Sequence, residues 1–190
     1  LSGMSPNSLI YDVKVLNENG AGDIEDVVKG IQWSINEEVD LINISFGFHS
    51  DHSDLRKAIK EALDSGIIIV AAAGNTLGLS VDYPAKYEGV LSISAIDRTL
   101  KRYSMGAKGK IDYVAPGVEV FTIDSLDHFT QTSGTSFAAA YATGTVAVLL
   151  SKTKKQINSS TTHDYLNKYS HDLGEKGYDS SYGHGLLRIK

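Results

Sequence analysis

The run IIIVAAAG, Ile67 to Gly74, constrains the fold of this chain more than any other stretch. A strand with one solvated face alternates apolar and polar residues. A run with no polar position suits a strand covered on both faces, and such strands belong to parallel sheets packed between helices. The neighbouring segments fit that architecture. Ile24 to Glu37 carries Ile24, Val27, Val28, Ile31 and Ile35 at helical spacing, and DLINISF, Asp40 to Phe46, reads as a strand. Ser53 is expected to cap a helix running through Leu63, with Leu55, Ala58, Ile59 and Ala62 on one face, and Gly66 ends it. Further strands are expected at SLIYDVKVL (Ser8 to Leu16), VLSISAI (Val90 to Ile96), IDYVAPG and VEVFTI. HFTQTSG reads as an antiparallel return before a helix that starts near Ser136, and YGHGLLRIK ends in a short strand-like segment. Strands alternating with helices indicate one α/β domain with a mainly parallel sheet.

Two short stretches carry chemistry. In QTSGTSFAAA, Ser136 stands where loop turns into helix, a position that suits an N-cap serine. The same position offers a nucleophile the positive potential and free N–H groups of a helix N-terminus. In AAAGN, Asn75 follows the apolar strand at its carboxyl end, where sites gather in open parallel sheets. An asparagine after glycine is an ordinary turn residue, and its amide can equally donate to a developing oxyanion. Serine, amide donor and helix dipole together suggest acyl transfer. Composition removes other classes. The chain has no cysteine, so disulfides, thiolate metal sites and cysteine nucleophiles are excluded. A net charge of -5 gives no reason to expect nucleic acid or an anionic membrane as partner. The apolar runs are too short to span a bilayer. Lys152 to Thr162, KTKKQINSSTT, reads as a solvated surface connection.

GTSFAAA resembles the nucleophile motif of subtilisin-like serine proteases, the subtilases, and AAAGN resembles their oxyanion-hole motif. INISFG, SPNSLIYDVKVL, DYPAKYEGVLSISAID, DYVAPGVEV and YGHGLLRI are similar to family segments in the same order. The resemblance implies a three-layer α/β fold with a mainly parallel central sheet flanked by helices. Residues 1–190 then form the C-terminal portion of a single peptidase domain whose N-terminal part lies outside this chain. It implies a serine endopeptidase that forms an acyl-enzyme on Ser136, with Asn75 in the oxyanion hole. Ser45, Phe46 and Gly47 pair with extended peptide substrate, and Ala72, Ala73 and Gly74 wall the pocket for the residue before the cut, P1. The catalytic Asp and His of the family belong to an N-terminal fragment, which becomes the expected partner, along with a cleaved prodomain. No cofactor is implied. A weak cation site of the family uses backbone carbonyls matching Ala85, Tyr87 and Val90. A secreted or extracytoplasmic location is implied.

Departures narrow the reading. Phe137 and Ala138–Ala140 stand where the family has Met and Ala-Ser-Pro. Asp82, before Tyr83-Pro84, aligns with a glycine at the base of the P1 pocket in general subtilisins. A buried Asp82 would favour Arg or Lys at P1; an outward Asp82, with His49 or Lys86 reaching the pocket, would favour acids. A charged pocket suits a selective processing enzyme, such as a bacterial lanthipeptide leader peptidase. Asp64-Ser65-Gly66 imitates the family's catalytic Asp motif but reads as a helix end. His49 and His52 are candidates for a pocket rim. Two other readings stand: an inactive subtilase-like binding scaffold, and an α/β-hydrolase-type esterase using Ser136, Asp172 and His184 in the order Ser…Asp…His.

Overall fold

Six strands form the main sheet of the computed structural model, which describes residues 3–124, 126–153, 157–158 and 161–189. In chain order the elements are α1 (Ile24–Asn36), β1 (Leu41–Ile44), α2 (Ser53–Asp64), β2 (Ile68–Ala72), β3 (Leu91–Ile96), β4 (Tyr113–Pro116), β5 (Val120–Ile123), β6 (Phe129–Thr132), α3 (Thr135–Ser151), α4 (Thr162–Leu166), β7 (Ser170–His171) and β8 (Leu186–Leu187). The sheet order is β1-β2-β3-β4-β8-β7. Strands β1 to β4 and β8 run parallel, and β7 is antiparallel to β8.

The run that opens the sequence reading explains the layering. Every residue of β2 is buried. Its alternate side chains serve two cores, since successive Cβ atoms of a strand point to opposite faces. Ile67, Ile69, Ala71 and Ala73 join the cluster built with Val27 and Ile31 of α1 and Leu55, Ala58 and Ile59 of α2. Ile68, Val70 and Ala72 join the cluster built with Ala138, Ala139, Ala142, Val146 and Leu149 of α3. The result is the expected three-layer α/β arrangement. Small residues let α3 lie close: a Cβ placed on Gly117, just after β4, would come 2.8 Å from Ala95 Cβ and 2.9 Å from Ala138 Cβ. Strands β5 and β6 form a separate antiparallel hairpin that feeds α3.

Three local expectations need correction. Ser8 to Leu16 is not a strand. Its alternation is real, because Val13 and Val15 face Gly30 of α1, where an added Cβ would meet Val15 Cγ1 at 2.7 Å. Tyr11 meets Trp33 of α1 edge-on at 5.5 Å. No described strand lies beside the segment, and without a partner an extended chain has no ladder. Ser53 is the first residue of α2 rather than its cap; His52 flanks it, with extended backbone and no side-chain cap bond. Ser136 is not an N-cap either, since Gly134 holds that position and Ser136 lies within the first turn of α3. As expected, Asp64-Ser65-Gly66 closes α2, with Gly66 at φ +89°. Part of Lys152 to Thr162, namely residues 154–156, 159 and 160, lies outside the described residues. Among the described residues no helix is long and apolar enough to cross a membrane.

Candidate active site

Parallel strands bring their carboxyl ends to one edge, and the chemistry-bearing residues gather there. Ser45–Gly47 follows β1, Ala73–Asn75 follows β2, and Gly117 follows β4. The Gly134 N–H donates to the Gly117 carbonyl at 2.8 Å, which ties the start of α3 to the same edge. Ser136 Oγ donates to the Ser45 carbonyl at 2.6 Å. Ser45 Oγ in turn donates to the Ser136 carbonyl at 3.1 Å and accepts from Asn43 Nδ2 at 2.9 Å. The Thr143 hydroxyl of α3 reaches Asn43 Oδ1 at 2.9 Å. The start of α3 and the segment after β1 are therefore pinned together by side chains from both.

Asn75 has a fixed orientation. Its Oδ1 accepts from the Thr135 N–H at 3.1 Å and lies 3.2 Å from the Thr135 hydroxyl. The Gly74 N–H donates to that hydroxyl oxygen at 3.2 Å. With Oδ1 engaged on this side, the amide nitrogen is turned toward Gly134, where an added Cβ would lie 3.5 Å from Nδ2. A donor beside Ser136, at the positive end of a helix, is suited to stabilise an oxyanion. Thr135, only 1% exposed, is a positioning residue that the sequence reading missed. So are Asn43 and Thr143. The Thr135–Asn75 and Thr143–Asn43 bonds each join residues sixty or more positions apart, and no local pattern announces them.

Asp82 is buried at the wall of the expected P1 pocket. Its N–H donates to the Ala73 carbonyl at 3.0 Å, and Phe48 and Tyr83 exchange two backbone bonds of 2.8 Å each beside it. An added Cβ would lie 2.3 Å from Asp82 Oδ2 at Gly74 and 2.8 Å from Asp82 Cβ at Gly47. Both glycines are thus required by the close approach of this carboxylate. His49 Nδ1 lies 2.8 Å from Asp82 Oδ1, with the imidazole 87% exposed and the carboxylate 12% exposed. Lys86 is turned away over the Tyr83 ring, 5.4 Å from its centroid. His52 packs on Phe48, 5.8 Å between ring centres.

Other candidates fall elsewhere. The ring of His184 meets Tyr113 at 5.7 Å and Tyr178 at 5.3 Å, and Asp172 accepts the Gly177 N–H at 2.9 Å. Tyr113 begins β4, so this cluster sits at the end of the sheet opposite Asn75. The structure does not bring Ser136, Asp172 and His184 together. Among the described residues no histidine is hydrogen-bonded to Ser136, and no cluster of three or more His, Asp or Glu is arranged to hold a metal. At the carbonyls named for a weak cation, the Lys110 ammonium donates to Ala85 at 3.1 Å and also to Val90. The Tyr87 carbonyl accepts the Val90 N–H at 3.4 Å.

A helix-start serine, an asparagine amide and the Ser45–Gly47 segment gathered on the carboxyl edge of a parallel sheet form a candidate acyl-transfer site. The chain belongs to the subtilase family of serine endopeptidases, whose model matches residues 1–185. It is 36% identical over 194 residues to subtilisin DY of Bacillus licheniformis, an alignment covering 99% of this chain and 69% of that protein. It is 36% identical to a thermostable alkaline protease of Halalkalibacterium halodurans, over 97% of this chain and 50% of the relative. To the minor extracellular protease Epr of Bacillus subtilis it is 33% identical, over 100% of this chain and 30% of the relative. The chain thus spans between 30% and 69% of the length of these relatives.

Proposed function

We propose that this chain supplies the nucleophile, the oxyanion hole and the P1 pocket of an endopeptidase that cuts after Arg or Lys. The observation that carries the reading is the convergence of Ser136, Asn75 and the Ser45–Gly47 strand at one sheet edge. Peptide substrate adds as a strand along Ser45, Phe46 and Gly47. Ser136 Oγ bonds to the scissile carbonyl carbon, while the carbonyl oxygen takes the electron pair and is held by Asn75 Nδ2 and the Ser136 N–H. A histidine, oriented by an aspartate, accepts the hydroxyl proton and passes it to the leaving amine; water then releases the acyl group by the reverse path. Both residues come from a segment N-terminal to this chain. That assignment rests on the family resemblance and on the Ser136 hydroxyl, which is engaged by a backbone carbonyl rather than a base.

The burial of Asp82 against Gly47 and Gly74 supports a basic P1 residue over an acidic one. The exposed His49 ring is a movable cover, displaced when a guanidinium or ammonium takes the carboxylate. A charge-selective pocket supports a processing role, with removal of a leader or propeptide, as in lanthipeptide maturation, the first to test. The relative named an extracellular protease supports an extracytoplasmic site. An active-serine phosphonate and a P1-varied peptide library test the reading on the complete enzyme. Ser136→Ala should lose covalent labelling and turnover. Asp82→Asn keeps the shape, and should lower the preference for Arg over Met at P1 by roughly 10- to 100-fold, the range for a hydrogen bond to a charged group. Equal use of Arg and Met by the parent enzyme would refute the selective reading. Unlabelled Ser136 in the complete enzyme would leave only the inactive scaffold.

A further inference from the structure

The loop between β2 and β3 doubles back through Ala85 and Val90, and its carbonyls converge on one point. That point holds the Lys110 ammonium. It donates to the Ala85 carbonyl at 3.1 Å, to the Val90 carbonyl, and to Asp112 Oδ2 at 2.7 Å. The Lys110 side chain is 29% exposed and that of Asp112 is 11% exposed. Asp112 is itself held in place, because its Oδ2 accepts the Ser92 N–H at 2.7 Å and its Oδ1 lies 2.9 Å from His163 Nε2. Two carbonyl oxygens and a fixed carboxylate are hard oxygen donors of the kind that take an alkali or alkaline-earth ion. With the lysine present they do not fit one, since the ammonium already occupies the space and contributes the charge.

We infer that Lys110 is a resident cation: it takes the place of a bound metal ion in this cradle, and removing its charge converts the cradle into a site for a free cation. The ammonium ties the 85–90 loop to the start of β4 and balances Asp112. Without it, two carbonyl oxygens would face the Asp112 carboxylate with no cation between them, leaving it only the Ser92 N–H and His163, a severe defect when buried. A cation from solution then restores the balance.

Lys110→Met keeps the aliphatic stem and removes the charge. Thermal unfolding of the complete protein is followed in potassium, sodium and calcium chlorides at constant ionic strength. The variant should melt about 6 °C or more below the parent when only a bulky organic cation is present. At least half of that loss should return with sodium, potassium or calcium, while the gap between parent and variant stays open without them. A gap that no cation narrows, or no gap at all, overturns the inference. Crystals of the unaltered protein soaked in rubidium or thallous salt give a check independent of the variant's folding. No anomalous peak should appear between the Ala85 and Val90 carbonyls, and a peak there overturns the inference.

Discussion

Thr135 fixes the orientation of Asn75 at the candidate site. Its N–H and hydroxyl meet Asn75 Oδ1, and its hydroxyl oxygen takes the Gly74 N–H. An amide whose oxygen is held in this way presents its nitrogen in one direction. Asn75→Ala should lower kcat by about 10²–10³, the range found when a subtilisin loses one oxyanion-hole donor, with KM little changed. Thr135→Val keeps the volume and removes the hydroxyl. It should lower kcat by about fivefold, the effect of one hydrogen bond. In the Asn75→Ala background the same change should do almost nothing, because it acts through the amide. Additive losses in the double variant would show that Thr135 supports the helix start and not Asn75. Ser136 and Asn75 stood out in the sequence because each sits in a short stretch of distinctive chemistry, and the structure places both at one sheet edge. Thr135 was written in the same motif, yet its task depends on a partner sixty residues away.

Among the elements, β2 was the easiest to read and Ser8 to Leu16 the hardest, for one reason. An apolar run declares burial on both faces, and β2 has it. A period of two declares only that alternate side chains face something, and in Ser8 to Leu16 that something is a helix. Whether a ladder forms depends on a neighbour that the segment itself does not encode. Likewise, β7 is two residues long, below the length at which any periodicity registers, whereas β8 falls in the strand-like end expected for YGHGLLRIK. Between β4 and the last helix, Tyr113 is fully buried, and its hydroxyl donates to Asn167 Oδ1 at 2.8 Å. Burial, with the nearby charges of Asp112 and Asp164, raises the Tyr113 phenol well above the usual value of 10.0. The folded state therefore binds the phenolic proton more tightly than the unfolded chain. The stability this gives is intact below the unfolded value near 10 and falls as pH rises through it toward the folded value. Tyr113→Phe should cost about 1 kcal/mol at neutral pH through the lost hydrogen bond. It should also flatten the decline in melting temperature above pH 10, the reference value. A parallel alkaline decline in both proteins would remove Tyr113 as its source.

At the scale of the whole molecule, β1 is an edge strand among the described residues, and no strand is assigned over Ser8 to Leu16. Leu9, Ile10 and Tyr11 are 78%, 51% and 48% exposed, a large apolar surface for one short segment. Open strand edges recruit further strands. Adding the proposed N-terminal segment to residues 1–190 should raise the melting temperature, protect the β1 amides from hydrogen exchange and switch on labelling of Ser136. Full labelling of residues 1–190 without that segment would show that the base lies within this chain after all. The mainly parallel sheet with helices on both sides followed from the alternation of segments, whereas the strand order and the long-range side-chain connections did not. Lys110 is one of those connections, and it bears on where such a protein can work. An ion taken from the medium is lost when its free concentration drops, as it does beside chelators or in dilute surroundings. An ammonium carried on its own side chain has no such equilibrium to lose. This corner of the fold should keep its shape in ion-poor fluids, and it gives up any sensing of ion levels in return.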